Sequence, residues 1–149
     1  YWKDMVRIMT LRDVIESDLL IFYRHQADED AARMAGFSSR TEEAHTTHWN
    51  KIMKDADNIL RTVVVDGEVA GNMVSFMMDG VREVGYWIGR DFWGRGIASA
   101  ALEQFLQEVK FRPLYAHAVK TNRGSIRVLE KCGFTLLSED GAEVTYRLD

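Results

Sequence analysis

The sequence predicts an α+β fold built on a mixed sheet, with elements in the order βααβββαβαββ. Three observations predict it. Short β-branched runs joined by aspartate-glycine turns fill the middle of the chain, from Arg61 to Ile88. Segments with helical hydrophobic spacing stand on either side of that meander. A glycine-bearing turn then leads the last strand of the meander straight into an alanine-rich helix. The 149 residues suit one domain spanning 1–149, long enough to bury a core.

The first strand is expected from Val6 to Leu11, extending toward Val14. Ser17 is a candidate N-cap for a helix through Phe22 to Gln26, and Asp13 with Glu16 offers a competing capping-box start. Thr41 caps the next helix, to Lys54, whose His45, His48, Trp49 and Ile52 share one face. Arg61 to Asp66 is β-branched, and Asp66-Gly67 turns it into a second arm from Val69 to Met78. Asp79-Gly80 turns again into a third strand from Glu83 to Ile88. From Gly96 to Lys110 the spacing is helical, with Leu102, Phe105, Leu106 and Val109 facing the core. A short strand from Tyr115 to Val119, a helix from Ser125 to Cys132 stopped by Gly133, and a hairpin across Asp140-Gly141 complete the chain.

Composition narrows the function. A formal net charge of -4 speaks against a nucleic-acid-binding surface and is compatible with an amine-bearing substrate. No apolar stretch reaches the length of a membrane span, and no basic segment followed by an apolar one opens the chain, so no membrane partner is expected. Cys132 is the single cysteine; an internal disulfide is impossible, which fits a cytoplasmic protein. The start at Tyr1 reads as a trimmed N-terminus.

The chemistry-bearing run is Glu83 to Ala101, EVGYWIGRDFWGRGIASAA. A strand, a turn with Gly89, Gly94 and Gly96, and a helix start form the arrangement that holds an anionic phosphate on free backbone N–H groups. Arg95, and Arg90 nearby, add guanidinium groups for phosphate oxygens. The spacing matches neither a Walker A loop nor Gly-x-Gly-x-x-Gly, because Ser99 stands in place of the third glycine. Locally the run fits a phosphate cradle or a plain tight turn.

A second constellation runs from Asn122 to Phe134, NRGSIRVLEKCGF. Together the two motifs resemble the GNAT family, the GCN5-related N-acetyltransferases, and within it the branch that includes ribosomal-protein N-terminal acetyltransferases. The resemblance covers the chain from about Ile59 to Leu148. It implies an acyl-CoA N-acyltransferase fold, a mostly antiparallel central sheet with splayed strands flanked by helices. It implies acetyl-CoA as co-substrate, with the pantetheine arm on strand backbone around Trp87, Ile88 and Gly89. The pyrophosphate would sit on the amides of Phe92, Trp93, Gly94, Arg95, Gly96, Ile97 and Ala98, with Asn122 and Ser125 on the other side. Asp91 stands where the family often has Gln or Arg, and should be turned from the phosphates because like charges repel. Many members carry a tyrosine in the second motif as general acid; this chain has none there, and Ser125 is the substitute.

Amine acetylation needs a neutral amine, a polarised thioester and a proton for the departing thiolate. Glu83 is the candidate base, because related enzymes often hold a carboxylate at this place on the strand; a solvated strand-edge residue is the alternative. Direct transfer is expected, with Cys132 a small packed thiol rather than an acyl carrier. His45 and His48 are three apart on one helix, but no third ligand is evident and no metal is expected. His25, His45, Trp49 and His117 are candidates for the acceptor side, with packed or solvated roles as their alternatives. Trp49 and the group Met73, Met77 and Met78 read as core. The expected acceptor is a primary amine: a protein N-terminus, an amino acid or a small amine. A catalytically silent CoA-binding sensor or scaffold and a longer acyl-CoA donor are the rival readings. Homodimers are common in the family, so a second copy of the chain is a candidate partner.

Overall fold

The computed structural model describes residues 8–36 and 40–149. The first strand, β1, is Met9–Asp13; its expected beginning at Val6 lies outside the described residues. Helix α1 follows at Asp18–Gln26. Ser17 occupies the N-cap position without a side-chain cap, because its own backbone is already helical (φ -64°, ψ -17°) rather than extended; the Asp18 carboxylate accepts the Ile15 N–H at 3.0 Å. A short helix not expected from the sequence, α2, spans Glu29–Met34, with Asp28 accepting from the Asp30 and Ala31 amides. Helix α3 is Glu42–Met53, and Thr41 caps it through the Ala44 N–H at 3.1 Å.

Strands β2 (Ile59–Val65), β3 (Glu68–Met78) and β4 (Val81–Ile88) form the expected meander. Both turns demand left-handed backbone, supplied by Asp66 with Gly67 (φ 51° and 84°) and by Asp79 with Gly80 (φ 52° and 81°). A single 3₁₀ turn, Arg90–Phe92, leads to α4 at Ile97–Glu108. The chain closes with β5 (Leu114–Val119), α5 (Arg123–Lys131), β6 (Thr135–Asp140) and β7 (Glu143–Leu148).

The seven strands lie in the order β1-β2-β3-β4-β5-β7-β6. All neighbours are antiparallel except β4 and β5, which the α4 crossover makes parallel. Helix α4 seals one face of the sheet with Ala101, Leu102 and Phe105, joined by Val109 just past its end, each fully buried, against Val63, Met73, Val84 and Leu114. Burying a Leu or Phe contributes about 1.5–3 kcal/mol. That outweighs the ~1 kcal/mol of a side-chain cap, which α4 lacks at Gly96. On the other face Leu19, Phe22 and Trp49 of α1 and α3 pack on Leu60, Val69 and Val74. Met73 joins the core as expected, whereas Met77 and Met78, the last residues of β3 before the Asp79-Gly80 turn, are about half exposed.

Asp18 ties the second face to the sheet edge. Its carboxylate, 2% exposed, accepts two hydrogen bonds from Arg12 at 2.8 and 2.9 Å and one from the Thr62 hydroxyl at 2.6 Å. Burial alone would raise its pKa; the Arg12, Thr62 and Ile15 donors overcome this and hold it below the usual carboxylate value. With the folded pKa depressed, the contribution to stability is present above the ordinary value near 3.8 and is lost as pH falls through the folded one. Asp18→Asn is expected to cost about 2 kcal/mol and to flatten the acid limb of a denaturant-midpoint-against-pH curve; an unchanged acid limb would remove Asp18 from this role.

Candidate functional site

The parallel pairing of β4 with β5 has a single register pair, Glu83↔Tyr115. Beyond it the strands diverge toward their C-terminal ends. Gly89 N–H donates to the Ala70 carbonyl at 2.8 Å, so the alternation of an antiparallel ladder turns the backbone groups of Trp87 toward β3 and those of Tyr86 and Ile88 toward the gap. The gap opens into a cleft of about 320 Å³. Its walls are Tyr86, Trp87 and Ile88 of β4, the turn from Phe92 to Gly94 with Gly96, the start of α4, Asn122, Gly124, Ser125 and Val128 at α5, and Ala31, Met34 and Ala35 at α2.

The floor at α4 is an open helix end. Gly94 and Gly96 have φ of 76° and 73°, and a Cβ at either would meet no atom within 4 Å. The left-handed backbone calls for glycine, and it leaves the approach to the helix clear. Ala100 N–H is bonded to the Gly96 carbonyl at 3.1 Å. The amides of Ile97, Ala98 and Ser99 precede it in the first turn, where no intrahelical acceptor exists. No side chain caps this end and no acidic residue sits in the first turn. An uncapped helix start at the end of an apolar cleft suits an anionic group carried on a long apolar arm.

The two guanidinium groups expected on phosphate oxygens stand elsewhere. Arg90 reaches Asp30 at 2.8 Å and Asp28 at 3.5 Å, because the N-terminus of α2 brings two carboxylates to it. Arg95 lies over the Phe92 ring, 5.7 Å from its centroid, and lines a separate depression with Asp91, Glu68 and Ile21. Asp91 is thus turned from the cleft. Gly89 also stands outside the cleft, with its N–H spent on Ala70; a Cβ there would fall 2.6 Å from the His25 ring. Ile88 keeps its place, but its carbonyl accepts the Trp93 indole N–H at 2.8 Å, which fixes the end of β4. What faces the cleft at the turn is main chain rather than arginine.

Glu83 sits at the vertex where β4 and β5 part. Its side chain is 9% exposed, and Oε1 lies 3.0 Å from His117 Nε2. His117 Nδ1 is 3.0 Å from the Thr145 hydroxyl and 3.6 Å from Glu143 Oε1. Adjacent strands β4, β5 and β7 thus bring together two residues that the sequence nominated separately, Glu83 and His117.

Across the cleft, Tyr86 Oη and Ser125 Oγ are 3.0 Å apart. Burial pushes the Tyr86 phenol up to about 12, so it stays protonated at neutral pH and can donate. Sequence reasoning missed Tyr86; its signal was strand parity, which turns its backbone into the gap. Asn122 caps α5 through the Ser125 N–H at 3.2 Å, which fixes Ser125 at the cleft. The Cys132 thiol, pushed up in pKa by burial, points at the Ser99 carbonyl at 3.7 Å and lines neither depression.

Three acceptor-side candidates stand away from the vertex. His25 packs on Gly89, and burial lowers its pKa. His45 is fully buried beside the rings of Tyr23 and Trp49, at 5.6 and 6.3 Å between centroids, and burial pulls it to about 4, so its ring is neutral. Trp49 stacks at a tilt on Phe22 at 4.9 Å within the second core. The reason is the same for His45 and Trp49: α3 turns them inward onto α1. Among the described residues no group of three His, Cys, Asp or Glu side chains is placed to hold a metal, and no helix is long and apolar enough to cross a membrane.

Residues 9–135 match the acetyltransferase (GNAT) domain family. The chain is 29% identical over 93 residues to YdaF of Bacillus subtilis (strain 168), provisionally named a ribosomal N-acetyltransferase. That match covers 58% of this chain and 51% of YdaF, so the chain spans about half the length of that curated relative. The fold superimposes on an acetyltransferase of the GNAT family from Bacillus anthracis with a TM-score of 0.78 at 22% identity, over 94% of this chain and 93% of that one. It superimposes equally on a spermidine N-acetyltransferase from Vibrio cholerae crystallised with CoA and spermine, with a TM-score of 0.78 at 16% identity, over 93% and 92% of the two chains. At these identities the structural likeness speaks for the fold.

Proposed function

The chain belongs to the acetyltransferase (GNAT) family, and from that premise we propose that it transfers acetyl from acetyl-CoA directly to a primary amine. The observation that carries this reading is a buried carboxylate, Glu83, at the point where β4 and β5 part, beside a cleft that ends on an uncapped helix. In this reading the amides at the start of α4 and around Gly94 and Gly96 hold the diphosphate. The main-chain groups of Tyr86 and Ile88 that face the gap align the pantetheine arm and polarise the thioester carbonyl. Glu83 takes a proton from the incoming ammonium, which frees the amine lone pair for attack. Ser125, held by Asn122 and backed by the Tyr86 hydroxyl, gives its proton to the departing thiolate and regains one from the nitrogen as the amide forms.

The acceptor class is a small amine, an amino acid or a protein N-terminus, in keeping with the amine acetyltransferases among its relatives. The test is an amine panel with acetyl-CoA, read by thiol release and by the mass of the product, for the native chain and Ser125→Ala together. Acetylated product is expected, with kcat reduced roughly 10²-fold in the variant, as for loss of one acid–base group. Tight acetyl-CoA binding without turnover of any amine would favour a CoA-sensing domain instead. Faster turnover with propionyl- or succinyl-CoA would reassign the donor.

A further inference from the structure

We propose that His117 is the exit for the proton that Glu83 collects, passing it from the buried vertex to solvent at β7; this rests on the reading of Glu83 as the base. The need for an exit is stoichiometric. An ammonium acceptor gives up two protons as it becomes an amide. One ends on the thiol of CoA, and the other must reach water before the next turnover. Glu83, only 9% exposed on its side chain, cannot shed it readily by itself.

The neighbourhood of Glu83 provides one path. Glu83 Oε1 and His117 Nε2 are 3.0 Å apart, within direct transfer distance. The His117 side chain is 38% exposed, and its other nitrogen faces Thr145 Oγ1 at 3.0 Å and the 59%-exposed Glu143 carboxylate at 3.6 Å. The three elements are locked in register: Glu83 pairs with Tyr115 across β4 and β5, and His117 with Thr145 across β5 and β7. Burial falls steadily along the line from Glu83 through His117 to Glu143. A static ion pair would need only the first contact, whereas a path also needs the second.

The protons balance as follows. Glu83 as carboxylate gains one from the ammonium. Its O–H bond breaks as an N–H bond forms at His117 Nε2, and the ring becomes an imidazolium. The proton on Nδ1 then leaves to Glu143 or to water, which restores a neutral imidazole and the Glu83 carboxylate. Exchange with solvent at the 38%-exposed ring, Nε2–H lost to water and Nδ1 reprotonated from water, restores the starting tautomer with no net change in protons. His117 acts through Glu83 and touches no substrate.

The test uses His117→Ala and His117→Gln in the full chain, with acetyl-CoA and the panel amine of highest turnover, in dilute non-transferring buffer. Both variants are expected to keep the donor Kd and the amine KM of the native chain. In both, kcat should fall about tenfold, less than the ~10²–10⁴ for loss of the acid–base group itself. Adding a dimethylimidazole buffer should restore kcat saturably in both variants and leave the native chain unchanged. The Gln variant keeps a hydrogen bond to Glu83 but carries no proton. Full activity in His117→Gln, or a loss in His117→Ala that no buffer concentration repairs, would overturn the relay and leave His117 a structural partner. Impaired Glu83→Gln beside fully active His117 variants would sink the relay alone. Fully active Glu83→Gln, or a native chain that acetylates nothing, would sink the relay and the base assignment together.

Discussion

Gly96→Trp is expected to abolish acetyl-CoA binding while the domain still folds. Two costs separate. Gly96 sits at φ 73°, and an L-residue there pays about 1–2 kcal/mol in backbone strain, against a typical total stability of ~5–15 kcal/mol. The fold therefore survives. Binding does not, because Gly96 lines the cleft with no atom within 4 Å of its Cβ position, and an indole would fill the approach to the first-turn amides. Hydrogen bonds to a charged group contribute about 1.5–3 kcal/mol each. Losing two of them raises Kd roughly 10²–10⁴-fold. Titration calorimetry with acetyl-CoA measures it, and Gly96→Ala separates strain from blockage, since Ala carries the first cost and little of the second. An unchanged Kd in Gly96→Trp would show that the diphosphate does not sit on this helix.

The second large effect is at Glu83. Glu83→Gln preserves shape, and its amide can still hydrogen-bond His117, but it cannot take a proton. Turnover is expected to fall ~10²–10⁴-fold, with acetyl-CoA affinity unchanged because Glu83 lies outside the residues that line the cleft. The split between kcat and donor Kd is the diagnostic, since a change in cleft shape would move both. Native turnover in this variant would assign Glu83 to structure and move the search for the base elsewhere.

The glycine turn and the α4 seam were legible in the sequence because both are local. Left-handed backbone needs glycine within a few residues of the strand end, and the 3.6-residue spacing of Leu102, Phe105 and Val109 shows which face is buried. What was not legible depends on residues far apart in the chain. Arg90 looked free for phosphate until Asp28 and Asp30, about sixty positions earlier, met it. Glu83, His117 and Glu143 converge only because β7 inserts between β5 and β6, an order that periodicity does not encode. Helix α2 escaped notice because six residues with only two buried alanines carry almost no amphipathic signal. His45 and Trp49 were drawn toward the acceptor side by residue type, yet α3 uses them as packing.

One rung holds the two halves of the sheet side by side, Glu83 against Tyr115. Past it, the amide and carbonyl groups of Tyr86 and the amide of Ile88 face a space that no neighbouring strand fills. A pantetheine arm, with two amides of its own, has the chemistry of a short strand. The donor would then complete the sheet as well as react in it, and the melting temperature of the domain becomes a readout of how much thioester surrounds it.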